Sequence, residues 1–223
     1  MNINENEPCG FFVSLEGLDF TGKSTLLTNL NNRLSQRNLR PAITRDPPYY
    51  LVPWNNMKED FGMGNTISPL AEALLLLTAR IDNYERFILP SLNEKRIVIS
   101  DRSIDSWFAY QSVRLASYFG GKDQARRFLY EQNESLVRRN LFRYPDLTIL
   151  IEDDPLEIRQ RINKERELSK YEVLNIQIEV REEYQRLKEM FPERIVSIEA
   201  LGKGVQEIFG EAEKILLSKY YQN

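Results

Sequence analysis

Gly17-Leu18-Asp19-Phe20-Thr21-Gly22-Lys23-Ser24-Thr25 is the stretch from which the rest of the chain is read. It fits the spacing G-x-x-x-x-G-K-[ST]. It follows the apolar run Phe11-Phe12-Val13-Ser14-Leu15 directly and precedes Leu26-Leu27-Thr28-Asn29-Leu30, which has helical spacing. Strand, glycine-bearing turn and helix, in that order, make a phosphate cradle. The glycines let backbone N–H groups curl inward and the helix start offers its positive end. Lys23 then reaches the outer phosphates, and the Ser24 hydroxyl can ligate Mg²⁺. A plain glycine turn between strand and helix is the bland alternative, and the flanking elements weigh against it.

Bulk composition narrows the rest. The chain has 223 residues, 42% hydrophobic and 28% charged, which suits one substantial core, so residues 1–223 are read as a single domain. A net charge of −3 supplies no broad cationic field, which argues against nucleic-acid binding. Cys9 is the only cysteine, which excludes an internal disulfide and fits a reducing, cytoplasmic setting. There is no histidine, which removes Ser-His-Asp and Cys-His catalysis and the usual proton shuttle. The chemistry must run on carboxylates, Lys, Arg and a metal ion. No apolar run approaches about 18 residues, so no membrane insertion is expected.

Periodicity predicts helices at about Ser24–Ser35, Pro69–Leu92, Ser103–Phe119, Gln124–Phe142, Tyr171–Met190 and Val205–Tyr220, with a further helix opened by Pro155. Between them lie apolar strands at Leu39–Thr44, Ile97–Asp101, Asp146–Ile151 and Ile195–Ile198. The span Tyr49–Thr66 reads mostly as loop. Strands alternating with helices imply an α/β fold, with a five-stranded parallel sheet covered on both faces. Leu74-Leu75-Leu76-Leu77 makes the long helix apolar nearly all round, so either more of this chain or a second copy covers it.

In open α/β sheets ligands lie beyond the carboxyl ends of the strands. That rule singles out Asp19, Arg45, Asp46, Asp101 and Arg102, with Arg80 available from the long helix. Several arginines suggest an anionic acceptor, because planar guanidinium forks suit phosphate oxygens. A phosphate acceptor, with a second pKa near 6, needs no base, whereas a hydroxyl acceptor needs a carboxylate such as Asp46. Nucleotide kinase and nucleoside kinase therefore both stand. Asp101, at the end of its apolar strand, is expected to hold Mg²⁺ together with Ser24. The basic run Arg161 to Arg166 reads either as a lid over the transferring phosphoryl group or as a solvated helix face.

Taken together, these motifs resemble the thymidylate kinase family of nucleoside monophosphate kinases. Leu15 through Thr25 looks like that family's cradle, and Thr44-Arg45-Asp46-Pro47 resembles its T-R-E-P stretch. Glu72 through Arg80 is similar to its E-L-L-L-F-x-A-x-R helix. Asp101-Arg102 matches the start of D-R-Y, and Ser106 with Ala109-Tyr110-Gln111 matches S-T-x-A-Y-Q. The resemblance implies the P-loop NTPase fold with a short helical lid at about 155–171. It also implies ATP and Mg²⁺, a deoxynucleoside monophosphate acceptor, and a homodimer through the helix around 70–92. It would set Asp19 near the sugar 3′-hydroxyl, Arg45, Arg80 and Arg102 near the acceptor phosphate, and Ser106, Tyr110 and Gln111 on the base side. Phe20 stands where some members carry an arginine, a role that Arg161, Lys164 and Arg166 would then take.

Four positions depart from the pattern. Leu76 replaces the ring that stacks on thymine, Trp107 replaces a small residue, Ser103 replaces Tyr and Pro48 replaces Gly. A lost base–aromatic stack is worth about 1–3 kcal/mol, so these departures bear on which base is accepted. Asp101-Arg102-Ser103 also resembles the E-R-S motif of deoxynucleoside kinases. The expected activity is phosphoryl transfer from ATP to dTMP. A nucleoside kinase using Asp46 as base, and a non-catalytic nucleotide-binding protein that has lost the acceptor pocket, are the alternatives.

Overall fold

The computed structural model describes residues 10–48, 67–161 and 171–222. The sequence expectations for the loop at 49–66 and for the side chains of Arg161, Lys164 and Arg166 lie outside the described residues.

Five parallel strands form one sheet in the order β2-β3-β1-β4-β5: β1 (Phe11–Gly17), β2 (Pro41–Arg45), β3 (Ile97–Asp101), β4 (Leu147–Glu152) and β5 (Ile195–Glu199). β1 sits at the centre, aligned Leu15 to Asp101 on β3 and Leu15 to Ile149 on β4. Side chains alternate along each strand, so the sheet carries two cores. Phe11, Val13, Leu15, Ile99 and Ile149 pack with Leu26, Leu30 and Leu34 of α1 (Lys23–Gln36) and Leu216 of α8 (Val205–Tyr220). Phe12, Val98 and Leu150 face α2 (Pro69–Asn83), α4 (Ile104–Phe119), α5 (Lys122–Val137) and α7 (Leu174–Met190). The expected α/β architecture with helices on both faces is therefore present.

The α4 side of the sheet turns polar toward the strand ends. Ser14, Glu16, Ser100 and Thr148 are all buried there. Glu16 accepts hydrogen bonds from Ser14 Oγ and the Ser103 backbone N–H, each at 2.7 Å, and from Ser106 Oγ and Tyr184 Oη. Asp105 accepts two bonds from Arg194 at 2.7 Å and one from Thr148 Oγ1 at 2.8 Å. Buried polar groups need such partners, and here they pin the start of α4 to β1 and β4.

Helix ends differ from the sequence reading for local reasons. α5 stops at Val137 rather than Phe142: Asn140 adopts a left-handed φ of 56° while Leu141 N–H returns to Leu136 O at 3.0 Å. This is the helix-ending motif that asparagine supports nearly as well as glycine. The long helix is not uniform either. After Asn83 it widens into a π-helical turn over Tyr84–Ile88, closed by Leu89 N–H to Tyr84 O, before α3 (Leu89–Asn93). Pro90 has no N–H to give and its ring crowds the preceding turn, so the wider turn accommodates it. α6 (Pro155–Arg161) starts at its proline as expected. Among the described residues no helix is long and apolar enough to cross a membrane.

Candidate active site

The cradle wraps the turn from β1 to α1. Gly17 has φ 134°, and a Cβ there would sit 2.4 Å from the carbonyl oxygen of Ile151, so the backbones of β1 and β4 approach only because glycine is present. Gly22 opens α1 in the left-handed region at φ 87°. Lys23 is only 6% exposed and its ammonium donates to Leu18 O and, at 3.3 Å, to Thr21 Oγ1. Burial, with the charge of Arg102 added, lowers its pKa from 10.5 to about 7. Ser24 Oγ lies 3.4 Å from Asp101 Oδ2, which brings the two expected metal ligands together. A hydroxyl and a carboxylate beside a phosphate cradle are the hard oxygen donors that Mg²⁺ prefers.

A cleft of about 200 Å³ opens beyond the ends of β2 and β3. Two helices form its walls. From α2, Glu72, Leu76 and Arg80 project at four-residue intervals along one stripe; from α4 and the residue before it come Ser103, Ser106, Trp107, Tyr110 and Gln111. The strand ends add Arg45, Asp46 and Arg102, and the cradle adds Asp19. Every residue that the sequence reading set on the acceptor side thus lines one cleft.

Two arginines there are tightly held. Arg102 carries a left-handed φ of 68°, unusual for a non-glycine residue. Its Nη1 donates to Gly17 O and Ser106 Oγ, both at 2.9 Å, and its Nη2 to Asp19 Oδ1 at 2.7 Å. Burial opposes its charge, but Tyr110, Tyr184, Asp19 and Glu16 outweigh that and raise its pKa well above the ordinary guanidinium value. Glu16 behaves in the opposite sense. Burial, then the charge of Asp105, raise its carboxyl from 4.5 to about 7 against the pull of Ser106 and Arg102. Arg80 Nε donates to Asp46 Oδ2 at 2.6 Å in an ion pair buried on both sides. Asp46, the candidate base of the nucleoside-kinase reading, spends Oδ2 on this guanidinium, while its Oδ1 has no hydrogen-bond partner among the described residues. The cleft also persists despite Leu76 and Trp107, both of which line it.

On the other side of the cradle a second cleft, of about 220 Å³, is lined by Phe20, Thr21, Gly22, Thr25, Asp153, Ala200, Lys203 and Val205 among others. Sequence reading missed the last four because it applied the strand-end rule only as far as the third strand. Asp153 and Ala200 immediately follow β4 and β5, where the same rule points. Arg159 of α6 shares a small crevice with Asp19 and Phe20.

A phosphate cradle with one cleft on each side is the arrangement expected of a nucleotide-dependent phosphotransferase. Residues 15–211 match the thymidylate kinase family, and the chain belongs to that family. It is 32% identical over 190 residues to a probable thymidylate kinase of Methanococcoides burtonii, covering 85% of this chain and 88% of that one. A probable thymidylate kinase of Pyrobaculum aerophilum is 36% identical over 174 residues, 78% and 80% of the two chains. The crystal structure of thymidylate kinase from Ehrlichia chaffeensis superposes with a TM-score of 0.66 at 25% identity, covering 94% of this chain and all of that one.

Proposed function

We propose that this protein transfers the γ-phosphoryl group of ATP to dTMP, giving dTDP and ADP. The observation that carries the reading is Arg102, whose guanidinium bonds the Gly17 carbonyl and Asp19 of the cradle while lining the acceptor cleft. It stands where two phosphate-bearing molecules would meet end to end. The acceptor phosphate, with a second pKa near 6, is ionised at neutral pH and attacks the γ-phosphorus as the bond to the β-phosphate oxygen breaks. No protein base is required for an acceptor oxygen that is already ionised.

Residues 17–25 hold the triphosphate, with Lys23 on its outer phosphates. Arg45, Arg80 and Arg102 hold the acceptor, Asp19 faces its sugar, and Leu76, Ser106, Tyr110 and Gln111 line the base side. Ser24 and Asp101 would hold Mg²⁺, which neutralises charge on the donor phosphates when bound. Arg161 and Arg166 supply further positive charge from the lid, and their replacement by Ala lowers kcat more than ATP affinity. The second cleft, beside Lys203 and Val205, seats the donor's nucleoside. A homodimer through the helix around 70–92 is part of the same reading, supported by Leu74 of α2 and Leu89 of α3, which remain 40% and 37% exposed.

The test is ADP release from ATP with dTMP, dUMP, other monophosphates and free thymidine. Turnover on dTMP but not on thymidine is expected. Turnover on thymidine alone would make the protein a nucleoside kinase, and ATP binding without any turnover would make it a non-catalytic binder.

A further inference from the structure

Arg80 is 3% exposed, yet it lines the acceptor cleft and its Nη1 has no hydrogen-bond partner among the described residues. A long cation left loose there would lose much rotamer freedom on meeting a ligand. Two groups prevent that looseness. Asp46 Oδ2 takes the Nε hydrogen at 2.6 Å, fixing one edge of the guanidinium. The indole of Trp107 lies against its face, with the guanidinium carbon 5.2 Å from the ring centroid.

Trp107 is itself anchored. Its Nε1–H donates to Ala73 O at 2.9 Å, and it is only 2% exposed. Ala73 lies on α2, two turns before Arg80, whereas Trp107 lies on α4. The indole therefore ties the two walls of the cleft together while presenting its face to the one buried arginine on the opposite wall.

We propose that Trp107 is a positioning residue for acceptor recognition. Together with Asp46 it clamps Arg80, so that the guanidinium meets an oxygen of the incoming monophosphate already in place. The proposal rests on the acceptor assignment above. It makes Trp107 matter for the monophosphate only through Arg80, which a purely space-filling indole would not do.

The experiment uses the full chain and compares Trp107→Phe with Trp107→Leu. Both lose the indole N–H and both remain apolar; only Phe keeps a ring face. Thermal melts confirm that each variant is folded at the assay temperature. Trp107→Phe is expected to keep the KM for dTMP within about threefold of the unaltered protein, and Trp107→Leu to raise it about tenfold, with the KM for ATP unchanged in both. In an Arg80→Ala background the Phe and Leu variants should then be indistinguishable, because the ring acts through the arginine.

Equal dTMP KM values for the two variants, equal effects on both substrates, or an undiminished difference in the Arg80→Ala background would each overturn the proposal. Failure of the unaltered protein to phosphorylate dTMP would instead overturn the acceptor assignment.

Discussion

Arg102 Nη2 lies 2.7 Å from Asp19 Oδ1, and this contact joins the cleft between α2 and α4 to the phosphate cradle. The two residues are 83 positions apart, and each sits just beyond the carboxyl end of its strand. Lysine at 102 would keep the charge but could not reach Gly17 O, Ser106 and Asp19 together. Arg102→Lys should lower kcat by about 10²–10³-fold while ATP affinity, read by direct titration, changes little. A kcat within about threefold of the unaltered protein would show that the fork is not used in the transition state.

Lys23 gives a pH-dependent signature. With its pKa lowered to about 7 by burial, most of this ammonium is neutral at pH 8 before ATP arrives. Triphosphate charge favours the protonated form, so the bound-state pKa rises and binding takes up a proton. Calorimetry in buffers of different ionisation enthalpy should report uptake approaching one proton at pH 8 and close to none at pH 6. Uptake that is the same at both pH values would contradict this assignment.

Gly17 and Gly22 are predicted to differ as sites of substitution. Alanine at 17 faces both a left-handed φ and a carbonyl oxygen 2.4 Å away, whereas an added Cβ at 22 meets nothing within 4 Å. Gly22→Ala should cost about 1–2 kcal/mol, from its backbone angle alone. Gly17→Ala should cost more and separate β1 from β4. Urea unfolding measures both; an equal cost would remove the steric argument.

Asp105 and Arg194 form a structural pair beneath the site. Two 2.7 Å bonds join them, with side chains 1% and 9% exposed. Asp105→Ala leaves a buried guanidinium uncompensated and should destabilise the fold by about 3–5 kcal/mol. Adding Arg194→Met should recover a large part of that loss. Denaturation midpoints of the single and double variants decide it, and a loss below about 1 kcal/mol for Asp105→Ala would contradict the pairing.

What was legible in the sequence was local. The span from Gly17 to Ser24 announced the cradle because eight neighbouring residues carry the whole geometry, and Ile97–Asp101 announced a buried strand by its apolar run. Strand-end carboxylates and arginines followed from the architecture, which is why Arg45, Asp46, Asp101 and Arg102 were found. The stop at Asn140 escaped notice because asparagine signals a left-handed residue less loudly than glycine. The pairings Asp46 with Arg80, Trp107 with Ala73 and Asp105 with Arg194 join residues 34 to 89 positions apart, and no periodicity reports them. Asp153, Ala200 and Lys203 of the second cleft carry no motif of their own and come together only once β4 and β5 are in place.

The most direct measurement of the central claim, that donor and acceptor are gripped end to end across Arg102, is the affinity of a linked ligand in which adenosine and thymidine share one oligophosphate chain. Tethering converts the second binding event into an intramolecular one, so such a ligand should bind on the order of 10²-fold or more tighter than ATP or dTMP alone. Arg102→Ala should abolish most of that gain. Binding no tighter than ATP, or a gain indifferent to Arg102, would contradict the account.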